Sequence, residues 1–294
     1  MDPEMLGDEG SMKLPPSGRS SIPVAPAYED VSTPHERLKL HLHFRSDILP
    51  DARNLIVYLP PQYAAEPERR FPVLYLHDGQ NLFDPLTSFV PGRTWQVREA
   101  ADEGIEAGAV EPLIIVGIYN TGDRRIAEYT PTRDWKMGGG EAPLYGRLII
   151  EELMPFIARH YRTMSGPQHT GMGGSSLGGL VSLFLGIQCP DIFGRLAVHS
   201  PSVWWNHRSI MNHVRPAFGV ERPRIWLDVG DSEGARTLDD CNRLHRQLQR
   251  EGWRDDAESI DGDLHYFVSQ GGRHDEAAWA TRVGPMLRFL FPAG

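Results

Sequence analysis

Residues 169–187 read HTGMGGSSLGGLVSLFLGI, and the order of chemistry along them decides the fold. His169–Gly173 reads as a strand and Leu177–Ile187 as an apolar helix. Between them, Gly174-Ser175-Ser176-Leu177-Gly178 fits the pattern G-x-S-x-G in a single frame, centred on Ser176. Glycines two positions either side of a serine let the backbone turn sharply from strand to helix and leave the hydroxyl exposed at the helix start. A helix N-terminus also favours developing negative charge. The pattern alone arises by chance in about one chain in six at this Gly and Ser content, so the strand before it and the helix after it carry the weight.

Working outward, strands and helices alternate. Towards the N-terminus, Leu38–Phe44 (LKLHLHF) and Asn54–Leu59 (NLIVYL) read as strands, joined by a connection short enough for an antiparallel edge hairpin. Val73–Leu76 is a short apolar run closing on the turn signal Asp78-Gly79, Trp95 to about Ile105 reads as a helix, and Leu113–Ile118 as a buried strand. Asn120–Pro143, with glycine at 138, 139 and 140, reads as a long irregular loop, a length that in a compact domain goes with function. Leu144–His160 reads as an amphipathic helix. Beyond the central stretch come strands Leu196–His199, Ile225–Val229 and His265–Val268, with helices at Ala235–Arg250 and about Glu276–Leu290. This alternation predicts an α/β domain with a mostly parallel central sheet, antiparallel edge strands and helices on both faces. One such domain fits residues 36–294. Residues 1–35 read as a flexible lead-in, Pro- and Ser-rich from Lys13, in which Gly10-Ser11-Met12 resembles an engineered junction before a native start.

Composition narrows the function. With 40% hydrophobic and 23% charged residues, the 294-residue chain is neither disordered nor collagen-like. No apolar run reaches the roughly 18 residues that span a bilayer. A net charge of −9 argues against a nucleic-acid partner, since phosphate binding needs a basic surface. Cys189 and Cys241 form neither a disulfide framework nor a zinc spacing. The first ten residues carry Asp2, Glu4, Asp8 and Glu9 and no basic residue, so no secretory signal is read and a cytoplasmic location is expected.

A serine hydroxyl needs a base in hydrogen-bond reach to act as a nucleophile at neutral pH. In sheet-based serine hydrolases the order along the chain is serine, acid, histidine, each at the C-terminal end of a strand. Of twelve histidines, His274 fits, lying past the strand His265–Val268 and before the final helix. His41 and His43, two apart on one strand face without a third ligand, read as ordinary sheet residues, and His265 as structural. The acid belongs after Ile225–Val229, where Gly230-Asp231-Ser232-Glu233-Gly234 offers Glu233, preferred here, and Asp231 as the alternative. Either carboxylate could fix the imidazole tautomer and stabilise the imidazolium. Two main-chain N–H groups are needed for an oxyanion hole: Leu177 after the nucleophile, and Gln80 in the loop after the third strand.

These stretches resemble the esterase family of α/β-hydrolases that includes esterase D and enterochelin-esterase-like proteins, feruloyl and acetyl-xylan esterases and mycolyltransferases. The matching segments are YLHDGQNLFD from Tyr75, VGIYNTGDRRIAEYTP from Val116, IEELMPFIARHYRT from Ile150, GGSSLGGL from Gly173, SPSVWW from Ser200, LDVGDSEG from Leu227 and GGRHDEAAW from Gly271. The resemblance covers about residues 36–292 and implies the α/β-hydrolase fold. It implies Ser176 as nucleophile, His274 as base, the acid at Glu233, and oxyanion donors at Gln80 and Leu177. It also implies an ion-pair and hydrogen-bond network around Asn120, Arg124, Arg125, Glu128 and Tyr129. Asp78, Gly79, Asn120, Trp204 and Trp205 are candidates for the substrate pocket, with core packing the competing role for the two tryptophans; Trp95 and Trp279 read as core.

The expected activity is hydrolysis of a small or carbohydrate- or aryl-linked carboxylic ester through an acyl-enzyme. Acyl transfer from the same intermediate and siderophore-ester hydrolysis are the alternatives, and a silent hydrolase fold used for binding is the third. No metal or organic cofactor is called for. The expected partner is a small-molecule ester, with no nucleic acid and no membrane; the oligomeric state is left open.

Overall fold

The computed structural model describes residues 35–215, 221–255 and 262–294, so the expected lead-in lies outside the described residues up to residue 34. In chain order the elements are β1 (Leu38–Phe44), β2 (Arg53–Tyr58), α1 (Gln62–Ala65), β3 (Val73–His77), α2 (Val97–Glu106), β4 (Ile114–Ile118) and α3 (Arg125–Glu128). There follow a two-residue pair, β5 (Arg133–Asp134) and β6 (Gly138–Gly139), then α4 (Ala142–Arg147), α5 (Met154–His160), β7 (Thr170–Ser175) and α6 (Leu177–Gln188). The remainder is β8 (Arg195–His199), α7 (Trp205–Arg208), β9 (Arg224–Gly230), α8 (Ala235–Arg250), β10 (Leu264–Ser269) and α9 (Glu276–Leu290).

Eight strands form one sheet in the order β1-β2-β4-β3-β7-β8-β9-β10. β1 pairs antiparallel with β2, and β2 antiparallel with β4; every other pairing is parallel. Alternate residues along the inner strands serve two separate cores. Leu55, Val57, Val73, Tyr75, Ile114 and Val116 face the side packed by α4, α5, α6 and α8. Ile56, Tyr58, Leu74, Leu76 and Ile115 face α2 and α9, whose Val97, Ala101, Trp279, Val283 and Leu287 close the other face. Period-two alternation between two buried faces is what makes these strands read as nearly continuous apolar runs.

The structure differs from the sequence expectation in three places. The helix expected over Leu144–His160 begins at Ala142 and carries a π-helical stretch, Leu148–Leu153, between α4 and α5. The irregular loop 120–143 contains α3 and the β5–β6 pair, the latter ordered by contacts from another part of the chain: Asn206 donates to Thr132 Oγ1 at 3.0 Å and to the Arg133 carbonyl at 3.3 Å. His41 and His43 do not share a face, because the register of β1 shifts between His41 and Phe44 and His43 takes φ 55°. His41 is buried against Tyr161 at 2.6 Å, while His43 is exposed.

Candidate active site

β7 ends inside the sheet and the chain turns into α6 at Ser176, whose backbone sits at φ 57°, ψ −119°. That turn is tight enough to favour glycine on both sides. A Cβ on Gly174 would lie 3.0 Å from the Gly178 carbonyl carbon, and one on Gly178 would lie 3.3 Å from Cβ of His77. α6 is buried from Leu177 to Ile187, which fixes the turn rigidly while Ser176 itself stays half-exposed. Ser176 Oγ lies 3.1 Å from Ser202 Oγ, and the Ser202 amide donates to the Ser176 carbonyl at 3.0 Å.

The loop after β9 carries Glu233 and the loop after β10 carries His274. His274 Nδ1 is 2.7 Å from Glu233 Oε2; the imidazole is 41% exposed, whereas the carboxylate is fully covered. The other carboxylate oxygen accepts from Ser200 Oγ at 2.6 Å, the Gly230 amide at 2.7 Å and Arg282 Nη2 at 3.3 Å. Burial pushes the Glu233 carboxyl up, but the hydrogen bonds from His274, Ser200 and Gly230 outweigh it, and the net direction is below the usual value. Glu233 is therefore the ionised partner of His274. Asp231, the alternative acid, instead accepts from the Gly271 amide at 2.7 Å and from Ser232 Oγ at 3.1 Å, tying its own loop to the next. In the resting arrangement Ser176 bonds Ser202 rather than His274; catalytic hydrogen bonds often close only once substrate is bound.

Opposite lies the turn Gly79–Asn81 after β3, entered through Asp78 at φ 57°. Among the described residues, neither the Gln80 nor the Leu177 main-chain N–H donates to a protein acceptor. Gly79 packs directly on β4, with no room for a side chain. Asp78 is buried and its carboxylate is taken by Arg125, at 2.8 and 2.7 Å, and by Asn120 Nδ2 at 2.7 Å. Asn120 also receives Gly122 N–H at 2.9 Å, and its own amide donates to Gln80 Oε1 at 3.3 Å. Asp78 and Asn120 thus brace the turn, Asp78 from within the fold and Asn120 from a half-buried position. The bracing continues inward through the fully buried pair Arg53–Glu128 at 3.0 Å and through His77, which Tyr145 meets at 3.0 Å and which burial holds down at about 3.

Of the two candidate tryptophans, Trp205 is core: it is 1% exposed and its indole donates to the Thr132 carbonyl at 2.8 Å. Trp204 is partly exposed, whereas Leu86 and Phe89 in the loop after β3 and Trp135 between β5 and β6 are largely exposed. Sequence reasoning missed Ser200, Ser202 and Arg282, and took Trp279 for core alone. Trp279 is buried, but its ring also meets the His274 imidazole edge-to-face at 5.0 Å. Arg282 had a legible signal: a charge on the apolar stripe of the last helix, between Trp279 and Met286. No group of three or more His, Cys, Asp or Glu arranged to hold a metal occurs among the described residues. No helix there is long and apolar enough to cross a membrane.

A mostly parallel sheet wound on both faces, a serine on a strand-to-helix turn, and a histidine–carboxylate pair on later loops at the same edge define an α/β-hydrolase. Residues 46–290 match the model of the "Putative esterase" family, and the chain belongs to that family. It is 26% identical over 252 residues to protein YbbA of Bacillus subtilis, covering 81% of this chain and 92% of YbbA. It is 29% identical over 244 residues to the ferri-bacillibactin esterase BesA of the same species (74% and 81%). It is 28% identical over 246 residues to the iron(III) salmochelin esterase of Escherichia coli, covering 78% of this chain and 52% of that one. Among solved structures, the BES protein from Bacillus cereus superposes with TM-score 0.71 at 22% identity, over 91% of this chain and 99% of its own. The chain is an ester hydrolase of this fold.

Proposed function

We propose that the chain is a serine carboxylic-ester hydrolase that works through an acyl-enzyme. Ser176 attacks the ester carbonyl as His274 takes its proton, and Glu233 orients the imidazole and stabilises its charged form. The Gln80 and Leu177 N–H groups receive the tetrahedral oxyanion. His274 then protonates the leaving alcohol and afterwards activates water, which releases the acid. The observation that carries this reading is the 2.7 Å contact between His274 and the fully covered Glu233 carboxylate. Two unclaimed amides beside the elbow supply the remaining component.

Ser176→Ala is expected to abolish turnover of p-nitrophenyl acetate while the protein remains folded by circular dichroism. Turnover near wild type would refute the assignment. The substrate is a small ester with an aryl or carbohydrate part, which the exposed Leu86, Phe89, Trp135 and Trp204 support by offering apolar surface on loops at the same sheet edge. A siderophore ester is the second reading, favoured by the relatives named as esterases of ferri-bacillibactin and iron(III) salmochelin. Hydrolysis rates across acetyl-xylan, feruloyl esters, short p-nitrophenyl esters and a catecholate siderophore separate the two.

A further inference from the structure

We propose that the buried hydroxyl of Ser200 positions the Glu233–His274 pair, as the hub of a closed ring of contacts with Trp279 and Arg282. The inference rests on the triad proposed above and concerns what holds it. Ser200 opens the loop after β8 at φ 42°, is fully buried, and donates its amide to the Asp228 carbonyl at 2.9 Å. Its hydroxyl offers one proton and two lone pairs. Trp279 Nε1 approaches at 3.1 Å and Arg282 Nη1 at 3.1 Å, and both groups are obligate donors. The two lone pairs are thereby filled, and the one proton is directed to Glu233 Oε1 at 2.6 Å.

This fixed polarity decides which carboxylate oxygen serves the imidazole. Oε1 is held by Ser200, by the Gly230 amide and by Arg282, leaving Oε2 for His274 Nδ1. The ring closes through Trp279, whose indole donates to Ser200 and whose ring meets the His274 imidazole edge-to-face at an interplanar angle of 79°. Arg282 adds a second anchor, binding Asp228 at 2.7 Å inside β9. Alanine at 200 keeps the backbone and Cβ, removes the proton given to Glu233, and strands one N–H each of Trp279 and Arg282.

The test is a double-mutant cycle on kcat and KM for p-nitrophenyl acetate with Ser200→Ala, Glu233→Gln and the pair, each checked for folding by thermal melting. Ser200→Ala is expected to lower kcat by about 10- to 100-fold, the scale of a displaced catalytic group, with KM nearly unchanged. In the Glu233→Gln background the same substitution is expected to add little, because its effect runs through that carboxylate. If Ser200→Ala does not fold, Ser200→Gly removes the same hydroxyl and suits the positive φ. A folded Ser200 variant with wild-type kcat, or an equal loss in both backgrounds, overturns the role of Ser200. Glu233→Gln at wild-type kcat would refute the triad acid, and the positioning role with it; Glu233→Gln slow but Ser200→Ala neutral refutes only the latter.

Discussion

Alanine in place of Gly79 disturbs the main chain that presents the Gln80 N–H. Its Cβ would lie 2.5 Å from the Gly117 carbonyl carbon, 2.8 Å from the Gly117 oxygen and 2.8 Å from the Ile118 nitrogen. All three are backbone atoms of β4, an inner strand buried throughout, so no side chain can swing aside. Non-bonded carbons settle at about 3.5 Å or beyond, so the turn after β3 has to retreat by about 1 Å. Oxyanion donors act at about 2.7–3.1 Å, and a retreat of that size takes the Gln80 N–H out of range. Loss of one such donor costs about 3 kcal/mol in the transition state, or about 100-fold in kcat. The strain of overpacking costs the fold about 1–3 kcal/mol as well. Initial rates on p-nitrophenyl acetate give kcat and KM, and melting followed by fluorescence gives the change in Tm. The expected outcome is a Tm lower by several degrees, kcat down about 100-fold and KM little changed. A lowered Tm with kcat within about threefold of wild type would show that the turn had shifted without loss of an oxyanion donor, and the hole would not lie at Gln80.

Three further outcomes are expected. Glu233→Gln should lower kcat by about 10³- to 10⁴-fold, as loss of the triad carboxylate does elsewhere, whereas Asp231→Asn should leave kcat within a few-fold; parallel kinetics on the two variants decide it. Arg53→Met leaves Glu128 fully buried without its partner and should cost about 3–5 kcal/mol, read as a lower urea midpoint at unchanged m-value. Burial holds His77 at about 3, and burial together with His160 holds His41 at about 4, against an ordinary 6.5. The unfolded chain therefore binds more protons below about pH 6.5, and stability should fall as pH drops from there towards about 4. Tm measured across that window should decline, and less steeply in His41→Gln; a flat or rising Tm would contradict the assignment.

Regular elements with a strong period were legible from sequence alone. β1, α8 and α9 run where their patterns end, and the inner strands differ by a residue or two, because alternation between two cores writes itself directly into the residue types. The elbow at Ser176 was legible for a different reason: a turn that tight admits only small neighbours. What stayed hidden depends on tertiary contact. The β5–β6 pair contains Gly138 and Gly139 and has no intrinsic strand preference; it exists because Asn206 and Trp205 hold its flank. The π stretch at 148–153 leaves the apolar periodicity of its helix intact and so cast no shadow on the sequence. Asp231 and Glu233 stand two residues apart in one loop, and only the folding of that loop directs one to Gly271 and the other to His274. Ser200 looked like one hydroxyl among many until three partners converged on it.

The backbone of Ser176 has a consequence for how this protein can be made sturdier. A residue with a side chain at φ 57°, ψ −119° holds about 1–3 kcal/mol of conformational strain that glycine would not feel. Glycine there would relax the turn and leave nothing to acylate. Ruggedness and reactivity are thus opposed at a single residue, and a search for heat-resistant variants that ignores turnover would be drawn to discard the nucleophile itself.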